Sequence, residues 1–153
     1  MGNQTETKTN EIDHRKIAVE CFNAVWDLLD KHERTPEEID RMIHMAHTSR
    51  YHWEQVGAPV NLSRGEWQIS RVYSVLKRSE PALFHAKRNL EICQEYNIED
   101  FDLAFAYEAL ARAYKVSGDE NLVNTYRELA ISSAEKISKE ADKKYFLQDL
   151  STI

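Results

Sequence analysis

The chain is poor in the residues that break regular structure, with four glycines and three prolines among 153 residues. Sandwiches and barrels need many turns, so this scarcity leaves them little room and favours helices. Cysteine is almost as scarce. Cys21 and Cys93 are the only two and form no CxxC spacing, which excludes a disulfide framework and makes a reducing cytoplasm the expected setting. Both fall on apolar helix faces, where a thiol acts as a small buried hydrophobe. No window is apolar over the length of a membrane span, so no membrane partner is expected. The opening residues lack the basic segment and apolar run of a signal peptide, and Glu6 stands where myristoylation requires Ser or Thr. There is no excess of basic charge: the net charge is -6 with both signs interspersed, and no nucleic-acid partner is expected. Glycine-rich phosphate loops, nucleophile elbows and paired Cys/His nucleophiles are missing too, so neither nucleotide-dependent nor acyl-transfer chemistry has support and no cofactor is implied.

What is present is 42% apolar sequence in helical periods, enough for one all-α domain over residues 10–153 behind a polar tail, residues 1–9, expected to be disordered. Asn10 can cap a first helix over Glu11–His32, with Ile17, Cys21, Ala24, Val25 and Leu28 as its stripe. Phe22, Trp26 and Leu29 widen that stripe, which predicts more than one neighbour or a homodimer. Thr35-Pro36-Glu37-Glu38 is a capping box with proline at the first helical position. It starts a second helix that runs to about Gln55 and is ended by Gly57-Ala58-Pro59. Ser63-Arg64-Gly65-Glu66 reads as another capping box, for a helix to Arg78, and Ser79-Glu80-Pro81 opens a fourth ending near Asn97. Asp100 or Asp102 begins a fifth helix, Leu103–Ser117, stopped by Gly118. Asp119 caps the sixth, with Val123, Tyr126, Ala130, Ser133 and Ile137 as its stripe. A short segment, Ala141–Leu150, offers Tyr145, Phe146 and Leu150 as a lid. The expected architecture is six helices in antiparallel hairpins plus a C-terminal capping helix.

Tyr107-x2-Leu110-Ala111-x2-Tyr114, followed by Gly118-Asp119, Val123 and Ala130, resembles a tetratricopeptide repeat, whose first helix reads Trp-x2-Leu-Gly-x2-Tyr. An earlier copy appears as Ile69-Ser70-x2-Tyr73, then Ala82-x3-Ala86 and Leu90. Ser70 and Ala111 are the small residues that let paired helices approach. Glu66 stands where the family has Trp, with Trp67 one place later, and Val123 and Arg127 replace the Ala and Phe of the second helix. Tyr73 to Tyr114 is 41 residues, against a usual period of about 34. The resemblance implies a scaffold of the kind that usually binds peptides or proteins along a groove and only rarely does chemistry.

The stretch Met42–Glu54 concentrates the chemistry-bearing residues: His44, His47, Arg50, His52, Trp53 and Glu54. At about 100° per residue, Arg50 falls on the arc of Ile39, Met42, Ile43, Ala46 and Trp53. A charge on a buried face must be paired. Glu66, at the edge of the Ile69/Tyr73/Leu76 face, and the pair His85 and Asn89 on the following helix are the partners in reach. The expectation is one polar cluster of Arg50, Glu54, Glu66, His85 and Asn89 with His47 at its edge, lining or bracing a groove. The alternative is a purely structural network, with Glu66 occupied by its capping box. Arg71 projects away from the core face, towards a groove or solvent, while Glu108 and Arg112 read as a surface i,i+4 pair. Trp26, Trp53 and Trp67 are expected at hairpin interfaces.

Two enzymatic readings compete with the binding module. His44-x2-His47, with Asp40 one turn earlier, has the spacing of two metal ligands but lacks the HExxH signature, and His52 points away. Arg41-x5-His47 resembles the Arg/His pair of the helical HEPN ribonucleases, in which the histidine transfers protons and the arginine stabilises phosphate charge. The two residues lie about 120° apart on the helix.

Overall fold

The computed structural model describes residues 11–153, so the expected tail and the cap at Asn10 lie outside the described residues. Seven helices follow in order: α1 His14–Leu29, α2 Pro36–Val56, α3 Pro59–Val75, α4 Ser79–Glu95, α5 Asp100–Ser117, α6 Glu120–Ala134 and α7 Glu140–Leu150. The described residues contain no strand. The pairs α1/α2, α3/α4 and α5/α6 form hairpins stacked in sequence through α2/α3 and α4/α5. The longest loop is residues 30–35 and the shortest are 57–58 and 118–119. Connections this short return the chain antiparallel to itself. α3 also touches α1 and α5, and α7 closes the array against α5 and α6. No described helix is long and apolar enough to cross a membrane.

Local chemistry sets most boundaries. Asp13 caps α1, accepting from the Lys16 amide at 3.0 Å, and Arg34 bonds the orphan carbonyls of Leu28 and Leu29 at its other end. Thr35 and Glu38 form the reciprocal box expected of them. Three successive helices, α3 to α5, end on a left-handed residue: Lys77 (φ 58°), Asn97 (φ 53°) and Gly118 (φ 85°). In each case the next amide reaches back five residues, from Arg78 to Tyr73, Ile98 to Cys93 and Asp119 to Tyr114. This is the Schellman ending, which glycine adopts freely and lysine only against steric cost.

The third helix corrects the sequence reading. It starts four residues before Ser63, at Pro59, where Asn61 Oδ1 accepts from the Ala58 amide at 2.9 Å. Pro59 both ends α2 and occupies the first turn of α3, the position where its missing N–H costs nothing. Ser63 is buried mid-helix and bonds Asn89, and Glu66 is free of any capping duty. At Gly65 a Cβ would lie 2.8 Å from Arg50 Cδ, so the glycine lets α2 pack its arginine directly on α3.

Three apolar clusters form the core. Val25, Met42, Ala46, Ile69 and Val72 join α1 to α3. Ala82, Ala86, Ala109, Leu110 and Ala113 join α4 to α5, where alanines permit close approach. Phe105, Ala130, Ala134, Phe146 and Leu150 join α5 to α7. The wide arc of α1 is used within the chain: Ala18 and Val25 are buried, Phe22 sits beside Trp26, and Trp26 meets Trp67 of α3 with ring centroids 5.6 Å apart.

Candidate functional site

The expected polar cluster forms in part. Arg50 Nε donates to Glu66 Oε1 at 3.1 Å and its Nη1 to Glu54 Oε2 at 3.4 Å. His85 Nδ1 donates to the other Glu66 oxygen at 2.6 Å. The His85 ring stacks on Tyr73, whose hydroxyl meets His47 Nε2 at 3.0 Å. Burial, reinforced by neighbouring His85, pushes the His47 pKa down against the opposing pull of Glu66. Five of the singled-out residues, His47, Arg50, Glu54, Glu66 and His85, thus meet between α2, α3 and α4. Glu66 is the hinge of this group because α3 starts early enough to release it.

Asn89 does not join them. It is buried one turn further along α4, and Ser63 Oγ donates to its Oδ1 at 2.7 Å beside Cys93. Burial pushes the Cys93 thiol up, keeping it a protonated, nearly apolar group.

Arg71 belongs to a second network that the sequence reading placed on the surface. It donates to Glu108 Oε1 at 3.0 Å and to both oxygens of Asp149 in α7, with its guanidinium 5.0 Å from the centre of the Trp67 ring. Burial alone would lower the Arg71 pKa, but Glu108 and Asp149 together outweigh it and hold the group above its ordinary value. Glu108 is fully buried and also accepts from Arg112 Nε at 2.6 Å and Trp67 Nε1 at 3.1 Å. Arg112 goes on to the Asp149 carbonyl and the Thr152 hydroxyl. The i,i+4 spacing was visible, but not that Glu108 lies on the side of α5 covered by α3 and α7.

His44 is exposed, while His47 is engaged by Tyr73. Among the described residues no group of three or more His, Cys, Asp or Glu side chains is placed to hold a metal ion. Arg41 is also exposed and forms no ion pair with a described residue.

A cleft of about 400 Å³ opens elsewhere, between α1, α3, α4, α5 and α7. Neither His47, Arg50, Glu66 nor His85 lines it; of the expected polar cluster only Asn89 does. Its walls are aromatic: Phe22 and Trp26 from α1, Trp67 from α3, Phe101 and Phe105 from α5, Tyr145 from α7. Trp67 meets Phe105 edge-on at 5.5 Å, and Phe105 lies 6.1 Å from Tyr145. The polar residues are Ser63, Arg64, Asn89, Asp102 and Asp142. Arg64 and Asp102 clasp each other with two parallel hydrogen bonds, 2.8 and 3.0 Å, and the carboxylate raises the Arg64 pKa. Asp102 does not cap α5, because the helix begins two residues earlier at Asp100; its carboxylate faces α3 instead. The sequence reading placed Phe22, Trp26, Trp67 and Tyr145 at helix interfaces or in the lid, did not single out Phe101 or Phe105, and gave no sign of the space they line. Comparisons with protein-family models, curated proteins and solved structures find no match for this chain.

Proposed function

We propose that this protein is a non-catalytic binding module of tetratricopeptide-like hairpins that receives a peptide or protein partner at the aromatic cleft. The observation that carries this reading is the cleft itself, framed by six aromatic side chains that pack ring against ring as one continuous wall. Its volume lies within the range of roughly 300–1,000 Å³ typical of ligand sites, and rigid aromatic walls supply large contact area at little entropic cost. The repeat kinship is supported by the two small residues at the hairpin crossings. Ser70 bonds the Ala82 carbonyl at 2.8 Å and Ala111 is fully buried. A cytoplasmic setting belongs to the same reading, supported by the free thiols of Cys21 and Cys93. The Arg50–Glu66–His85 cluster braces the stacked hairpins rather than contacting the partner.

The test is selection from a displayed peptide library, followed by titration of the enriched peptides. Tyr145→Ala, at the exposed edge of the cleft, lowers their affinity at least tenfold, whereas Phe84→Ala, exposed away from the cleft, leaves it unchanged. Enriched peptides indifferent to Tyr145→Ala, or no enrichment at all, overturn the assignment.

A further inference from the structure

The chain has three tryptophans, and two of them show what settles on an indole face in this fold. Arg15 lies over the Trp53 ring at 5.2 Å and Arg71 over the Trp67 ring at 5.0 Å. Arg71 is held there by the carboxylates of Glu108 and Asp149. Ring and carboxylate act together, because the ring face is the negative side of its quadrupole and the carboxylate supplies a full counter-charge. Trp26 is the exception. It is half-buried on the cleft wall, and no cation of the described residues lies over its ring.

The cleft also supplies the carboxylate. Arg64 carries one positive charge and Asp102 and Asp142 two negative ones, a balance of -1 for the lining. Arg64 and Asp102 satisfy each other, and Asp142 forms no ion pair or hydrogen bond among the described residues. The buried side-chain atoms that lack a partner are Gln68 Oε1, Ser74 Oγ and Asn89 Nδ2. The oxygens of the half-buried Asp142 are not among them, so they are accessible from solvent. An anion entering here meets an open carboxylate and no free cation. A neutral guest gains contact with the rings and leaves both the carboxylate and the negative ring faces without a counter-charge. A guest with one positive charge brings the lining to neutrality. Of the basic side chains, arginine fits best: its guanidinium is planar and more weakly hydrated than an ammonium, so it stacks on a ring at lower desolvation cost. It is also the group that Trp53 and Trp67 already hold.

We infer that the cleft takes the guanidinium of an arginine side chain, with its plane against the aromatic wall and its charge at Asp142. Tyr145 follows Asp142 by three residues on α7, so the two share one face of that helix and flank the guest together. The inference rests on the binding-module reading for the source of the group, an arginine of the peptide partner, and on the cleft alone for the chemistry.

The experiment uses the full chain at low ionic strength and follows amide shifts by NMR together with tryptophan fluorescence. The probes are n-propylguanidinium and its uncharged isostere n-propylurea, then a capped pentapeptide with a central arginine beside its citrulline counterpart. The expected result is that each guanidinium probe binds about five- to tenfold more tightly than its neutral partner, the worth of one cation on a ring face and one exposed ion pair. Asp142→Asn cuts that preference about threefold and leaves the affinity of the neutral probes in place. Tyr145→Leu, an exposed change that keeps apolar contact and removes a ring face, also reduces it. If n-propylguanidinium shows this Asp142-dependent preference but neither peptide binds, the guanidinium site stands and the peptide reading falls. If the peptides bind at the cleft without distinguishing arginine from citrulline, the binding module stands and the inference is overturned. Equal affinity for the two small probes, a preference undiminished by Asp142→Asn, or no binding of any probe also overturns it. So does a dimer in which the cleft is closed to every probe, because a second copy is then the occupant.

Discussion

Glu108→Gln is the most informative single perturbation. The carboxylate is fully buried and accepts from Trp67, Arg71 and Arg112. Together with Asp149 it balances two guanidinium charges whose side chains are 13% and 15% exposed. Removing one carboxylate leaves a net positive charge in that enclosure. Breaking a buried ion pair from one side costs about 3–5 kcal/mol. The arginines keep Asp149 and some access to water, so the lower end applies, about 3 kcal/mol. For a domain of this size, each kcal/mol moves the melting temperature by about 2–4 °C, which gives a fall of about 6–12 °C. Thermal unfolding by circular dichroism, checked by calorimetry, measures it. Two companions make the result specific. Arg64→Ala breaks an equally well-formed pair whose arginine is 51% exposed, and it costs no more than about 1 kcal/mol. Replacing all four charges by apolar residues of similar size (Arg71→Met, Glu108→Leu, Arg112→Met, Asp149→Leu) recovers most of the loss, because it also removes the desolvation cost. A Glu108→Gln protein melting within about 2 °C of the parent refutes the claim that this network holds α7 in place.

Other outcomes follow from the same geometry. Lys77→Gly relieves a left-handed lysine at the end of α3 and raises stability by about 0.5–1 kcal/mol. Asn97→Gly, from a residue that tolerates that conformation, gains only a few tenths by chemical denaturation. The His47 pKa is depressed by burial and by His85, so its contribution is complete above the unfolded value of about 6.5 and is lost as pH falls through the lower folded value. Melting curves from pH 7.5 to 5.0 therefore show a loss of stability on acidification that His47→Gln reduces. An unchanged slope in that variant removes His47 as the cause. Ala18 and Val25 of α1 are buried within the chain, so sedimentation returns a mass near 17.9 kDa; a doubled mass shows instead that a second copy covers the rest of the apolar arc, which includes the cleft-lining Phe22 and Trp26.

The helices were legible because local signals agree with tertiary needs. Thr35-Pro36-Glu37-Glu38 and Gly118 each specify a boundary by backbone chemistry alone, and the structure uses both. Ser63–Glu66 has the same look and fails, because Pro59 had already supplied a helix start and the intervening Val60, Asn61 and Leu62 are compatible with helix. A capping box is a statement about four residues; whether the chain is already helical on entering it depends on the residues before. Arg50 with Glu66 and His85 was legible for a different reason. A charge on an apolar face demands a partner, and the next hairpin offers only a few. That argument reads one helix at a time, which is why it missed Glu108. On α5 alone, Glu108 and Arg112 satisfy each other. Only the return of α7, with Asp149 near its end, shows that both are covered. The cleft is harder still. It is a property of space left between five helices, and no periodicity in one of them encodes it.

The second network and the cleft share Trp67. Glu108 holds its indole N–H at 3.1 Å, and Arg71 lies 5.0 Å from the centre of its ring. The ring also meets Trp26 and Phe105 within the cleft. A buried carboxylate thereby fixes the rotamer of a ring that forms the wall of the candidate site, and a wall fixed in advance costs a guest less ordering entropy than one that must be arrested on binding. Asp149 extends the effect to the other side, since the charges that grip it anchor α7, which carries Tyr145 and Asp142 to the cleft edge. The polar residues that looked most like a site brace the hairpins, and those that looked like surface decoration hold the walls of the cleft. On the proposed reading, buried charge acts on binding through position, and the contact itself is left to the aromatic rings.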